Sequence, residues 1–302
     1  MIEYKEMTQQ KPNRIFLIIN KFAGHKQGEK AVEVVIPLLQ KQDCLVEYAF
    51  TQYPGHATEL ASKASVAGFD LVVAVGGDGT VNEVAQGLIG TNTIMGIVPM
   101  GSGNGLAREL GISMKMSKSA LSLIAGTTVQ IDVCRMNNQR FLCTSGIGFD
   151  AQIANKMSKA SSRGFFRYIQ LVVTESFTYK PLKIKMKIDG KPLNLSAFLI
   201  TFANASQFGN NAYIAPAASM TDGLIDVIVV KPFSKIWLPV FGIGLFTKII
   251  PHLPFVDSYK AKQIELEFAD TSIFHFDGEP WQLSIPAKMS IDSAKIFVRC
   301  GK

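Results

Sequence analysis

The 302-residue sequence predicts an α/β protein with two domains: a doubly wound parallel sheet at 12–128, then an antiparallel β-sandwich at 129–302. Three observations predict it. Short apolar runs alternate strictly with helical patterns as far as about residue 125, and two of those runs feed directly into glycine-dense turns. Beyond residue 129 the helical patterns give way to successive strand-like segments. Alternation of strand and helix imposes parallel strands covered on both faces, because each crossover carries a helix back over the sheet. The first domain is expected to run strand 15–20, helix 31–41, strand 44–51, helix 56–67, strand 71–75, helix 81–88, strand 95–99, helix 106–110. The second is expected to hold strands 131–135, 140–145, 182–188, 197–203, 224–230, 263–268, 273–277 and 290–299, with one or two helices inserted. Asp189-Gly190 and Asp277-Gly278 are turn dipeptides between some of these strands.

Composition narrows the function. An apolar content of 47% suffices for two cores, and a net charge of +7 favours anionic partners: a nucleotide, a membrane surface or nucleic acid. The charge is dispersed. Lys183, Lys185 and Lys187 alternate as on one solvated strand face, and no basic block of the nucleic-acid kind occurs, so nucleic acid is not expected as a partner. Cys44, Cys134, Cys143 and Cys300 show no metal spacing and fit a reduced cytoplasmic setting; His25, His56, His252 and His275 show none either. The N-terminus, with Glu3, Lys5, Glu6 and Lys11, lacks the apolar core of a signal peptide and is expected to be a frayed tail. The most apolar segment, 236–250, is interrupted by Pro239 and Lys248 and is shorter than the roughly 20 residues that span a bilayer.

The chemistry concentrates in the two glycine turns. Val72, Val73, Ala74 and Val75 run straight into Gly76, Gly77, Asp78, Gly79 and Thr80, with Asn82 and Glu83 behind them. Glycines let backbone N–H groups approach phosphate oxygens without Cβ obstruction, and a following helix points its positive end at the same anion. The pattern returns at Gly101, Ser102, Gly103, Asn104 and Gly105, which suggests one nucleotide held by both turns at the carboxyl ends of the parallel strands. Neither turn is a dinucleotide fingerprint, because the third glycine position falls on Asn82 or Arg108. No GxxxxGK[ST] loop occurs, so a P-loop nucleotidase is disfavoured too.

These two turns, with Ala107 and Arg108 and then Phe276, Asp277, Gly278, Glu279 and Pro280, resemble the diacylglycerol kinase catalytic-domain family, which includes bacterial soluble lipid kinases and, more distantly, sphingosine and ceramide kinases. The similarity runs from Ile15 to about Val298. It implies a first domain of the NAD kinase/diacylglycerol kinase type and a last strand, about 290–300, that returns to that domain. It also implies ATP contacts at Asn20, Thr51, Gly76, Gly77, Asp78, Gly79, Thr80, Asn82, Glu83, Gly101, Ser102, Gly103 and Asn104. Lys21 follows the first strand and either reaches phosphate or is simply solvated; Arg108 either serves the site or packs its helix. Asp78, the acid of the first turn, is best placed to hold Mg²⁺ or shape the γ-phosphate site.

Phosphoryl transfer to a hydroxyl needs alignment, Mg²⁺ and a proton acceptor. Asp277 is expected as base with Glu279 beside it, since an extended backbone there would point both carboxylates the same way; Asp78 is the rival. Asp132 resembles a family carboxylate that supports this network. Two departures stand out. Gly105 follows Asn104 where many bacterial members carry Asp, and the stretch around Ser219, Asp222 and Leu224, which looks like a structural Mg²⁺ loop, has a hydroxyl at 219 in place of an acid. Asp222 and the Leu224 carbonyl would then hold metal weakly or not at all. Arg163, Phe165, Phe166, Arg167 and Tyr168, with Trp237, Phe241 and Phe246, mix cations and aromatics as interfacial segments do.

The expected function is an ATP- and Mg²⁺-dependent kinase of a lipid hydroxyl (diacylglycerol-like, phosphatidylglycerol or sphingoid), cytoplasmic and peripheral at the inner membrane face. The alternatives are an NAD kinase-like enzyme and a catalytically silent lipid- or nucleotide-binding protein. The lipid, the identity of the base and a homodimer stay open.

Overall fold

The computed structural model describes residues 11–159 and 165–301. The N-terminal tail as far as Gln10 and Arg163 of the interfacial cluster lie outside them, as do the side chains of Phe165, Phe166 and Tyr168. The alternation of the first 131 residues becomes β1 (Arg14–Ile19), α1 (Ala23–Lys26), α2 (Lys30–Gln40), β2 (Leu45–Phe50), α3 (His56–Val66), β3 (Leu71–Gly76), α4 (Asp78–Leu88), β4 (Ile94–Pro99), α5 (Gly105–Glu109), α6 (Met116–Ala125) and β5 (Thr128–Ile131). β3 shows why. Leu71, Val72, Val73, Ala74 and Val75 are wholly buried, so β-branched residues face apolar neighbours on both sides of a central strand. Each such Val or Leu is worth about 1.5–3 kcal/mol when removed from water. β1–β4 pair in parallel, in the sheet order β2-β1-β3-β4-β18-β5; β18 (Ile296–Arg299) is parallel to β4 and antiparallel to β5. This compact unit runs to Val133 and resumes at Ser293, so both β5 and β18 belong to it, and its boundary differs from the 128/129 expected.

The second unit, Cys134–Asp292, contains β6 (Cys134–Met136), β7 (Gln139–Phe141), β8 (Thr144–Gly148), α7 (Phe149–Ser158), α8 (Phe165–Thr178), β9 (Leu182–Ile188), β10 (Lys191–Ala197), β11 (Leu199–Ala203), β12 (Ile225–Val230), α9 (Leu238–Thr247), β13 (Val256–Ala261), β14 (Gln263–Ala269), β15 (Ile273–Phe276), β16 (Glu279–Gln282) and β17 (Ala287–Ile291). Two antiparallel six-stranded sheets form, ordered β10-β9-β14-β17-β6-β7 and β13-β12-β11-β8-β15-β16. Phe141, Ile184, Met186 and Met289 of the first and Ile147, Phe202, Val227 and Phe274 of the second share one core. β9 alternates as its sequence demands: Leu182, Ile184, Met186 and Ile188 point inward, while Lys183 and Lys185 are exposed. A second cluster, including Phe149, Phe198, Val230 and Phe255, covers the other face of the β8–β13 sheet with α7, α8 and α9.

Differences from expectation have physical causes. The runs 131–135, 140–145 and 290–299 each break into two strands, between β5 and β6, β7 and β8, and β17 and β18. β10, β13 and β16 have no forerunner in the sequence reading, and all three are edge strands, where an open face dilutes the apolar signal. β10 and β16 also carry Pro192 and Pro280, which edges tolerate. None of the four cysteines forms a disulfide. Among the described residues no helix is long and apolar enough to cross a membrane.

Candidate active site

Both glycine turns sit at the carboxyl edge of the parallel sheet and touch. β3 ends at Gly76, and α4 starts two residues on with Gly77 as its extended N-cap. A Cβ at Gly76 would lie 2.6 Å from Thr80, and one at Gly101 would lie 2.7 Å from the Gly77 Cα, so glycine is required at this closest approach of the turns. Asp78 joins them chemically: its Oδ2 accepts the Asn104 N–H at 2.9 Å and its Oδ1 the Gly105 N–H at 2.7 Å. Asn104, left-handed at φ 52°, braces its own turn by accepting the Gly101 N–H at 2.9 Å and donating to the Gly101 carbonyl at 2.7 Å. Arg108 Nε donates to the Gly103 carbonyl at 2.9 Å, which makes it a support of the second turn.

The other expected nucleotide contacts divide. Asn20, after β1, donates from Nδ2 to Thr80 Oγ1 at 3.2 Å, and Thr51, after β2, donates its N–H to the Ile19 carbonyl at 2.9 Å, so both stand on the same strand-end edge as the turns. The amides of Asp78, Gly79 and Thr80 occupy the first turn of α4, where the residue four back lies in β3 and not in the helix; they and the helix dipole attract anions. Ser102 is exposed at the tip of the second turn. Lys21 Nζ lies 4.8 Å above the Phe50 ring. Asn82 accepts from Gln86 Nε2 at 3.3 Å along α4. Glu83 has another duty: its Oε2 accepts the Ala57 N–H at 3.1 Å, and its carbonyl accepts Thr58 Oγ1 at 2.8 Å, so it fastens α3 to α4. Asp132 is buried and ion-paired with Lys295.

In the second unit the expected extended arrangement of Asp277 and Glu279 does not occur. Asp277 and Gly278 have φ of 49° and 86° and form the two-residue hairpin turn between β15 and β16, so the two carboxylates are not alternate side chains of one extended strand. Glu279 is exposed. The Asp277 carboxylate accepts three backbone N–H groups: Leu142 on Oδ2 at 2.8 Å, and Cys143 and Thr144 on Oδ1 at 2.8 and 3.0 Å. Those amides lie at the bend between β7 and β8, which explains the break in the expected strand. Burial pushes the Asp277 carboxyl above its ordinary value, against the pull of the three amides and of His275. Of the four carboxylate lone-pair sites one, on Oδ2, is left for a proton or hydroxyl.

One constellation escaped the sequence reading. His275, on β15, places Nε2 3.2 Å from Asp150 Oδ2, which also accepts Thr201 Oγ1 at 3.2 Å. A Cβ at Gly146 would lie 2.2 Å from that oxygen, so glycine there opens the space for the pair. The signal was an acid in the first turn of a helix entered directly from a glycine-bearing strand, Gly146-Ile147-Gly148-Phe149-Asp150.

The loop expected to hold structural Mg²⁺ holds a lysine instead. Lys260 Nζ lies 2.9 Å from Asp222 Oδ2, 3.1 Å from Asp226 Oδ2 and 3.5 Å from the Ala217 carbonyl. Ser219 Oγ pairs with Thr221 Oγ1 at 3.3 Å, and the Leu224 N–H donates to Asp222 Oδ1 at 3.0 Å. An ammonium among these oxygens repels a divalent cation, so Asp222, Leu224 and Ser219 do not fit the metal. Among the described residues no group of three His, Cys, Asp or Glu side chains could hold one. The Phe241 ring, expected at an interface, stacks on Phe233 against the core, whereas Trp237 and Phe246 are exposed.

Comparison with known proteins agrees with the motifs. Residues 14–136 match the diacylglycerol kinase catalytic domain, and residues 144–298 the YegS C-terminal NAD kinase β-sandwich-like domain. The chain is 26% identical over 301 residues to a diacylglycerol kinase of Mycobacterium tuberculosis, covering 97% of each. It is 29% identical over 225 residues to a diacylglycerol kinase of Bacillus subtilis, covering 72% of this chain and 74% of that one. It is 28% identical over 232 residues to a probable YegS-like lipid kinase of Chromohalobacter salexigens, covering 75% of each. A solved structure of a putative diacylglycerol kinase from Bacillus anthracis shares the fold, with a TM-score of 0.81 at 23% identity over 99% of this chain and 98% of that one. With both domain matches in chain order, this protein belongs to the diacylglycerol kinase and YegS-like lipid kinase family.

Proposed function

We propose that the protein transfers the γ-phosphate of ATP to the hydroxyl of a lipid (diacylglycerol-like, phosphatidylglycerol or sphingoid) at an anionic membrane surface. The carrying observation is the Asp78 clamp. One carboxylate holds the second glycine turn against the first, so the amides at the α4 N-terminus and the glycine backbone of both turns meet at one strand-end edge. That edge suits a polyphosphate: it offers N–H donors, no Cβ obstruction and a helix dipole of the right sign. Asn20, Thr51 and Ser102 supply small polar groups for phosphate or ribose.

Each Asp78 oxygen accepts one amide and keeps one lone-pair site, which fits a hydrated Mg²⁺ bound together with nucleotide. Bound there, Mg²⁺ would neutralise charge on the phosphates. The acceptor oxygen bonds to the γ-phosphorus as the bond to the β-phosphate oxygen breaks and ADP leaves, and the hydroxyl proton passes to a carboxylate. Asp277 Oδ2 is our choice, because burial raises its basicity while the amides fix its position; Glu279 and Asp78 are the alternatives.

The outer helices of the second unit supply the surface for a bilayer. On α8, Ile169, Val173 and Phe177 recur every fourth residue and are exposed, Phe177 at 64%. On and beside α9, Ile236, Trp237, Val240, Ile243 and Phe246 are exposed, Ile236 at 79% and Ile243 at 61%. Both helices pack on the same core cluster, and Lys235 donates to the Ser176 carbonyl of α8, so the apolar strips adjoin. The charge is complementary to anionic lipid. Residues 231–248 contain Lys231, Lys235 and Lys248 and no acid, Lys231 pairing with Asp257 at 2.9 Å, while residues 151–180 contain five basic residues against Glu175, itself paired with Lys156 at 2.6 Å.

The test is incubation of purified protein with ATP, Mg²⁺ and vesicles carrying each candidate lipid, with NAD as a parallel acceptor. Phosphate in a lipid product supports the proposal; phosphate in NADP, or nucleotide binding without any product, overturns it.

A further inference from the structure

We infer that the Lys260 ammonium is the resident cation of the 215–226 loop, standing where a divalent metal would otherwise tie that loop to the sheet. β13 places Lys260 directly opposite Asp226 of β12 in the antiparallel ladder, so the two side chains leave the same face of the sheet as neighbours. The ammonium has three donors, and three oxygens surround it: Asp222 Oδ2, Asp226 Oδ2 and, at the longest reach, the Ala217 carbonyl. These oxygens come from a loop, a strand and a backbone turn, the kind of scattered set a metal gathers. Asp226 is buried, its side chain 8% exposed, so its charge requires a partner inside the protein. The Ser219 hydroxyl is turned to Thr221, so the loop brings no third carboxylate to the place the ammonium fills.

The consequence is a lipid-kinase-family chain whose loop geometry is independent of free Mg²⁺, leaving nucleotide as the only reason for a divalent requirement. Thermal unfolding of the full chain without nucleotide tests this, with a readout separate from the proposed reaction. Wild-type protein is expected to show the same Tm in chelator as in millimolar Mg²⁺ or Ca²⁺. Lys260→Met, which keeps the stem and removes the charge, should lower Tm in chelator by about 5 °C or more, since it strands a buried carboxylate. Millimolar Ca²⁺ or Mg²⁺ should restore at least half of that loss, and adding Asp222→Asn should abolish the restoration. A wild-type Tm that rises with metal, with the rise lost in Asp222→Asn, overturns the inference. So does a Lys260→Met protein as stable as wild type in chelator, or one that no divalent ion restores. If Lys260→Met does not fold, calorimetric titration of wild type with Mg²⁺ and Mn²⁺ decides: absence of binding upholds the inference, and binding removed by Asp222→Asn refutes it.

Discussion

Replacing Asp78 by Asn removes the link between the two glycine turns while changing almost no volume. The carboxylate makes two charge-assisted bonds, at 2.7 and 2.9 Å, to the N–H groups of Gly105 and Asn104. An amide keeps one acceptor and turns an NH₂ toward the other N–H. Loss of one charge-assisted bond costs about 1.5–3 kcal/mol, and the surviving bond weakens to the neutral value, a further cost of about 1 kcal/mol. A total of about 2.5–4 kcal/mol corresponds to a fall of about 5–15 °C in the Tm of the first unit. Displacing the second turn by even 1 Å should lower kcat/KM about 10²-fold, with ATP affinity falling as well. Gly103→Ala tests the same contact independently, because its Cβ would lie 2.8 Å from Asp78 Oδ2 and must push that carboxylate aside. Differential scanning fluorimetry and calorimetric ATP titration read both effects. An Asp78→Asn protein with unchanged Tm and unchanged ATP affinity would refute the clamp.

Asp277→Asn keeps a residue that tolerates the left-handed turn, so it should fold, with a modest fall in Tm as its NH₂ meets the Leu142 N–H. Turnover should drop by about 10²-fold or more with little change in ATP affinity; retained turnover would move the role of base to Glu279 or Asp78. Because burial raises Asp277 in the folded protein, the acid limb of the wild-type kcat/KM profile should lie above the range of an ordinary aspartate; a limb at the ordinary value contradicts this base. The stability sign follows from the same shift. The folded state binds this proton more tightly than the unfolded chain, so stability falls as pH climbs from the ordinary aspartate value through the raised one. For the membrane face, Phe177→Asp and Ile243→Asp together should reduce co-sedimentation with anionic vesicles about tenfold or more without altering ATP affinity, since each side chain is already exposed. Undiminished vesicle binding would move the docking surface elsewhere.

Sequence periodicity carried the parallel domain almost residue by residue, because its strands are buried on both faces and its helices intervene regularly: β3 and β4 are apolar throughout. It carried the sandwich less well. β10, β13 and β16 are edge strands with polar faces, and the bend after Phe141 is imposed by Asp277, more than a hundred residues away, which no local pattern can reveal. Within the candidate site the glycines were legible because close approach demands them, as at Gly76 and Gly101. The duties of the carboxylates were not. Asp78, Glu83, Asp132 and Asp277 differ only in what the fold brings to them: turn amides, a helix terminus, a lysine, a strand bend. Lys260 meets Asp226 through sheet register, and His275 meets Asp150 because β15 pairs with β8, from which α7 starts, so both depend on pairing between distant segments.

The most direct measurement is phosphate transfer from γ-labelled ATP into extracted lipid, with anionic vesicles containing diacylglycerol, phosphatidylglycerol, sphingoid base or ceramide. We predict label on the hydroxyl of at least one of these lipids, reduced about 10²-fold in Asp78→Asn and dependent on Mg²⁺ supplied with the nucleotide. Nucleotide bound at the strand-end edge with no label entering any lipid would contradict the proposed activity.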